Sequence, residues 1–161
     1  MAIYWIDAGV LITAKNRHYA FNLVPKFWPW LYGQLEVGTI RMPSMSFQEL
    51  IIGNDDLAKW CKEKKNTGFF CVRPDREVQK RYETVAEYVC GKYKPHQTAE
   101  FLRGADGWII AHALESQGFV VTEENTAHNK SKIKIPVIAK ALHVTWKNTF
   151  DMCQELKANF S

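Results

Sequence analysis

Ile3-Tyr4-Trp5-Ile6 is apolar at every position rather than alternating. That is the pattern of a strand covered on both faces within a parallel sheet. A short helix over residues 10–14 is predicted next, and residues 17–24 show no clear element. Residues 26–36 predict a helix with Pro29 near its first turn, where a missing N–H does little harm, and Gly38 stops it. Residues 39–42 are expected to form a short strand before Pro43. Ser46-Phe-Gln-Glu49 has the form of a capping box leading into Leu50-Ile51-Ile52. A helix over residues 56–65, capped by Asn54 or Asp55, precedes an apolar run of indefinite type at residues 69–72. Val78, Tyr82, Val85 and Val89 make a stripe at helical spacing and predict a long helix over residues 75–91. Residues 92–98 read as a loop and 99–102 as a helical turn.

The clearest stretch follows. Asp106 opens a helix reaching about Gln117, and Ile109, Ile110, Ala113 and Leu114 place its carboxylate on the inward-packing face. Gly118 ends that helix and a strand at residues 119–122 follows at once, a tight connection of the α/β type. Beyond a polar loop at 127–132, the pattern predicts a strand at 133–135, a helix at 137–142, a strand at 143–146 and a closing helix at 149–157. Without repeats or linkers, the 161 residues are expected to form a single α/β domain spanning 1–161. The architecture that fits is a three-layer α/β/α sandwich with a mostly parallel central sheet.

The apolar content of 47% and charged content of 24% match a globular protein and exclude disorder. A net charge of +4 permits a polyanionic partner without demanding one. The basic clusters Lys62/Lys64/Lys65, Arg73/Arg76/Lys80/Arg81 and Lys130/Lys132/Lys134 each read first as solvated faces. No apolar run approaches the roughly 18–20 residues of a membrane span, and no basic lead-in marks a secretory signal. The cytoplasm is the default compartment. Cys61, Cys71, Cys90 and Cys153 are irregularly spaced and read as free thiols, and neither Cys nor His falls at zinc-ligand spacing.

Against this background the placement of Asp7, Glu49, Asp106 and the Glu123-Glu124 pair stands out. Each lies against an apolar segment at the end of a predicted element. Asp7 and Glu124 fall at the carboxyl ends of two strands, where open α/β sheets gather functional groups. Several buried carboxylates repel one another unless a cation compensates them, so an acidic metal site is expected. Taken singly, Asp106 also reads as a helix cap, Glu49 as the capping-box partner of Ser46, and Glu123 and Glu124 as turn acids.

These residues resemble the PIN-domain family. The run Ile3-Tyr-Trp-Ile-Asp7-Ala-Gly-Val-Leu-Ile12 looks like its opening strand, and Ser46-Phe-Gln-Glu-Leu50 is similar to its second acidic motif. Gly104-Ala-Asp-Gly-Trp-Ile-Ile-Ala-His-Ala113 resembles the third, and Val120-Val-Thr-Glu-Glu124 the closing motif. The ordered set spans positions 3 to about 124, and the nearest likeness is to VapC-like toxins of bacterial or archaeal origin; the Trp-rich segment around Trp28 and Trp30 points to a less-studied branch. The resemblance implies a Mg²⁺- or Mn²⁺-dependent endoribonuclease, the toxin of a type II toxin–antitoxin system, with RNA as substrate, a cognate antitoxin as partner and a homodimer as a common assembly. By motif match Asp7, Glu49, Asp106 and Glu124 are its catalytic acids. Asp7, Asp106 and Glu124 bind metal directly, Glu49 does so directly or through water, and Glu123 replaces Glu124 if the last motif shifts by one. Hard oxygen ligands suit such cations. Thr122 is a candidate supporting hydroxyl, and Arg103 with Lys130, Lys132 and Lys134 are the bases best placed to meet a phosphate backbone.

One departure matters: Asp7-Ala8-Gly9 lacks the polar side chain the family carries two residues after the Asp. A catalytically weakened RNA- or protein-binding module is therefore an alternative. Phosphoryl chemistry on Asp7 is a third reading, opposed by Gly9, since that chemistry needs a second Asp at this position.

Overall fold

The computed structural model describes residues 2–127 and 131–161; of the basic residues singled out above, Lys130 lies outside them. The apolar run at the N-terminus forms β1 (Tyr4–Ile6), buried throughout. It is central to a four-stranded sheet with β2 (Ile40–Arg41), β3 (Phe119–Val121) and β4 (Trp146–Lys147), in the order β2-β1-β3-β4. All three pairings are parallel, with Tyr4 opposite Ile40 on one side and Phe119 on the other.

The pleat sorts side chains onto two faces. Tyr4, Ile6 and Val121 enter one apolar layer with α1 (Ala8–Thr13), α2 (Phe27–Val37), α3 (Ser44–Ile51), α4 (Asp56–Lys64) and α9 (Thr149–Glu155). Trp5 and Val120 enter the other, with α5 (Arg76–Lys92), α6 (Pro95–Arg103), α7 (Asp106–Ser116) and α8 (Ile135–Ala141). The expected three-layer α/β/α sandwich is the fold, and its sheet is parallel throughout.

Local chemistry explains most boundaries. Asp55, Asp75 and Asn148 cap α4, α5 and α9 by accepting from backbone N–H groups three residues on. Gly38 ends α2 at φ 85°, a conformation open to glycine at little cost. The aromatic-rich start of α2 is core: Phe27 is buried, stacks on Tyr19 at 4.4 Å and meets Trp28, Trp30 and Phe160.

Four expectations are corrected. Ser46 does not cap a helix, because α3 begins two residues earlier behind Pro43, which leaves Ser46 and Glu49 inside the helix. The stretch read as a loop at 92–98 is mostly α6, started by Pro95 at its first position, where proline's fixed φ favours a helix. Residues 133–135 are not a strand, since α8 begins at Ile135. Helix α7 ends on Gln117 at φ 55°, one residue before the expected Gly118. The segment at 17–24, without a predicted element, continues α1 as a π-helical turn, Ala14–His18, before irregular turns. No helix among the described residues is long and apolar enough to cross a membrane.

One buried polar group works against stability. His112 on α7 is 2% exposed, its ring lies 4.5 Å from Trp5, and its Nε2 finds no hydrogen-bond partner among the described residues. Burial pushes its pKa down to about 4, with Asp75 opposing. Because the folded-state value lies below the usual 6.5, folding loses stability as pH falls through 6.5 toward 4, by up to about 3 kcal/mol. His112→Phe keeps a ring on Trp5 and removes the orphaned nitrogen. Thermal unfolding is expected to show the variant at least as stable as wild type at pH 7, with its advantage widening toward pH 4.

Candidate active site

The chain leaves β1 for β2 on one side and returns to β3 on the other. The order of the strands therefore reverses between β1 and β3, and a crevice opens beyond their carboxyl ends. Asp7 directly follows β1, and its parity along the strand puts it on the face of Trp5, beneath α7. Thr122 directly follows β3 with the same parity as Val120. Its hydroxyl donates to Asp7 Oδ2 at 2.9 Å, while Val10 N–H donates to Oδ1 at 3.0 Å. The same Thr122 oxygen accepts from Glu124 N–H at 3.1 Å. One hydroxyl thus fixes the first and last acids of the set relative to each other.

Asp7, Glu49, Asp106 and Glu124 line one cleft of about 240 Å³, together with Gly9, Ile12, Ser46, Ala105, Ile109 and Lys132. Asp106 is the first residue of α7 and the cap position is Ala105, so its carboxylate is not spent on capping. Glu49 projects from α3, exposed at the rim, and its Oε1 lies 3.8 Å from the place a Cβ would take on Gly104, in the turn before α7. The two adjacent glutamates diverge. Glu124 faces the cleft, whereas Glu123 accepts from Thr149 N–H at 3.1 Å and from the Thr149 hydroxyl on the opposite side. Arg103 does not line the cleft, but Lys132 does.

Burial pushes the Asp7 carboxyl up to about 7; the Thr122 and Val10 hydrogen bonds pull it down, and Asp106 and Glu124 push it further up. Burial likewise raises Asp106 to about 6, with Glu124 and Glu49 adding and Lys132 opposing. The cleft concentrates negative charge whose mutual repulsion is only partly relieved. That relief comes from Lys132, whose Nζ donates to Glu124 Oε2 at 2.8 Å. The hydrogen bond from Lys132 to Glu124, with the charges of Asp106 and Asp7, holds its ammonium above the usual lysine range despite burial. Glu124 Oε1 accepts from Ile135 N–H at 3.0 Å.

Whether these groups suit a divalent ion has two sides. No three acid, histidine or cysteine side chains among the described residues converge closely enough to share one ion as they stand. Glu124 explains this, since both its oxygens are engaged by Lys132 and Ile135. The donor chemistry nevertheless fits: every donor is a hard oxygen, and carboxylate oxygens keep spare lone pairs beyond their present bonds. Ser46 adds a buried hydroxyl at the cleft wall with no hydrogen-bond partner among the described residues. A rotation of Glu124 away from Lys132 is what such a site requires. At position 9 a Cβ would lie 3.3 Å from Asp7 Oδ1, so glycine here leaves room beside the carboxylate and supplies no polar group to it.

The fold and cleft define a PIN-like protein. Solved structures share the fold: a chain of VapBC2 from Rickettsia felis bound to a DNA fragment from their promoter matches with a TM-score of 0.55 at 15% identity, over 91% of this chain and 98% of that one. VapBC-1 from nontypeable Haemophilus influenzae matches at 0.53 and 18% identity, over 91% and 97% of the two chains. FitAcB from Neisseria gonorrhoeae matches at 0.53 and 18% identity, over 92% and 99%. The chain itself belongs to the family described as a domain of unknown function, DUF4411, whose model matches residues 4–160. No curated protein matches it in sequence.

Proposed function

We propose that the protein is a divalent-cation-dependent endoribonuclease, the toxin of a type II toxin–antitoxin pair. One observation carries this reading. Asp7, Asp106 and Glu124, from three segments far apart in sequence, line one small cleft at the switch point of a parallel sheet, with Glu49 at its rim. Asp7, Asp106 and Glu124 would hold Mg²⁺ or Mn²⁺, and Glu49 would reach it directly or through water. The bound ion supplies Lewis acidity toward a phosphodiester and activation of water.

The chain's own residues do the positioning. Thr122 and Val10 N–H clamp Asp7, so its free lone pairs keep one direction. Lys132 neutralises Glu124 while the cleft is idle and offers its ammonium to a substrate phosphate when Glu124 turns inward. Resemblance to VapC-like toxins, with fold neighbours drawn from VapBC complexes, supports an antitoxin partner and a cytoplasmic RNA target. Gly9 favours a second reading, an RNA- or protein-binding module with weakened catalysis, because nothing polar stands beside Asp7 at that position.

Incubation of purified protein with total RNA and millimolar Mn²⁺ separates these readings. Cleavage is expected for wild type and is expected to fall at least about 100-fold in both Asp7→Asn and Asp106→Asn. Cleavage persisting undiminished in those variants would reject the nuclease reading, and RNA binding without turnover in wild type would favour the binding module.

A further inference from the structure

Lys132 lines three cavities, not one. Beside the acidic cleft is a recess of about 90 Å³ bounded by Gln97, Glu100, Phe101, Asp106, Lys132 and Ile133. Beyond it lies the largest cavity among the described residues, about 540 Å³, within the range of small-ligand sites. Asp106 is shared by cleft and recess, and Gln97, Lys132 and Ile133 by recess and large cavity. The three form one continuous track over the N-terminal ends of α6 and α8.

Charge changes sign along it. The large cavity is lined by Lys94, Lys132, Lys134, His96 and the half-buried Tyr93, and by no acid. Lys94 is exposed, and Lys134 Nζ has only the neutral Asn125 side chain at 3.1 Å. A basic groove with an aromatic wall that runs into an acidic, metal-suited cleft matches what a single nucleic-acid strand needs: ammonium groups for phosphates, a ring for a base and hard-cation chemistry at one end. Accordingly, and resting on the ribonuclease reading above, we propose that this cavity seats the nucleotides of single-stranded RNA adjoining the scissile phosphate. Lys94 and Lys134 take backbone phosphates, Tyr93 stacks a base, and Lys132 bridges the groove to the cleft.

Fluorescence anisotropy of a labelled 12-nucleotide single-stranded RNA, with chelator present to prevent turnover, tests the groove apart from the chemistry. Lys94→Glu/Lys134→Glu is expected to weaken binding at least about tenfold and to flatten the salt dependence by roughly one and a half phosphate-contact equivalents. Tyr93→Leu is expected to weaken it about tenfold, with Tyr93→Phe close to wild type. Lys59→Glu/Lys62→Glu, on remote α4, is the charge-matched control and is expected to bind like wild type. Equal losses in control and groove variants, no RNA binding by wild type, or equal affinity for duplex DNA or polyglutamate would each overturn the proposal. Groove-dependent RNA binding by a wild type that cleaves nothing with Mn²⁺ would uphold the groove and sink the ribonuclease reading instead.

Discussion

Asp7→Asn is expected to melt at a higher temperature than wild type at pH 8 in chelator, although it removes a group placed at the heart of the site. The Asp7 carboxyl is raised to about 7 from an ordinary 3.8, chiefly by burial and despite two hydrogen bonds. The sign follows from linkage: an acid whose folded-state value is raised favours folding when protonated. Its ionisation therefore costs stability progressively as pH rises from about 4 to 7, and the full cost stands above 7. Three pH units correspond to about 4 kcal/mol, and weaker Thr122 and Val10 hydrogen bonds to the amide reduce the expected gain to about 2 kcal/mol. The comparison between the two proteins cancels the opposing contribution of His112, so the gap should shrink steadily as pH falls toward 4. Saturating Mn²⁺ should reverse the order, since an ion bound only by the folded wild type adds RT ln(1 + [L]/Kd) to its stability. A variant that is less stable than wild type at every pH in chelator would show that Asp7 is a structural acid. Function and stability then pull against each other in this cleft, as expected where like charges are held together for chemistry.

Phe27→Ala carries the second large effect, an expected loss of about 3–5 kcal/mol read from the midpoint of urea denaturation. Phe27 is fully buried, and four aromatic rings lie within 6.0 Å of its centroid: Tyr19, Trp28, Trp30 and Phe160. Removal of the ring opens a cavity between α2, the turn after α1 and the segment that follows α9, which cannot all collapse inward together. Leu23→Ser, at a side chain 72% exposed close by in sequence, is expected to change stability by no more than about 0.5 kcal/mol. Equal losses in the two variants would mean that the aromatic cluster is not the rigid core described here.

What could be read from the sequence was what periodicity and strand ends control. Unbroken apolar runs marked β1 and β3, and the inward face of α7 placed Asp106 beside Asp7 before any coordinates were known. Helix starts were harder. Ser46 and Glu49 satisfy a capping box in sequence, but Pro43 lets α3 begin at Ser44, and the same two residues face the cleft instead. Helix α6 was obscured because Pro95, which breaks helices in their interior, sits at its first position. Glu123 and Glu124 cannot be told apart by spacing. The bonds that separate them come from Thr149, Lys132 and Ile135, all later in the chain and brought back by α8 and α9. Lys132 was visible as a basic residue, but its return across the cleft to Glu124 is a tertiary fact with no local signature.

The central claim is that distant carboxylates share one hard cation, and isothermal titration of Mn²⁺ into chelator-stripped protein at pH 8 tests it most directly. Saturable binding by wild type that vanishes in both Asp7→Asn and Asp106→Asn, with Glu123→Gln still binding, is the expected result. Unchanged Mn²⁺ binding in the two aspartate variants, or none in wild type, would contradict it.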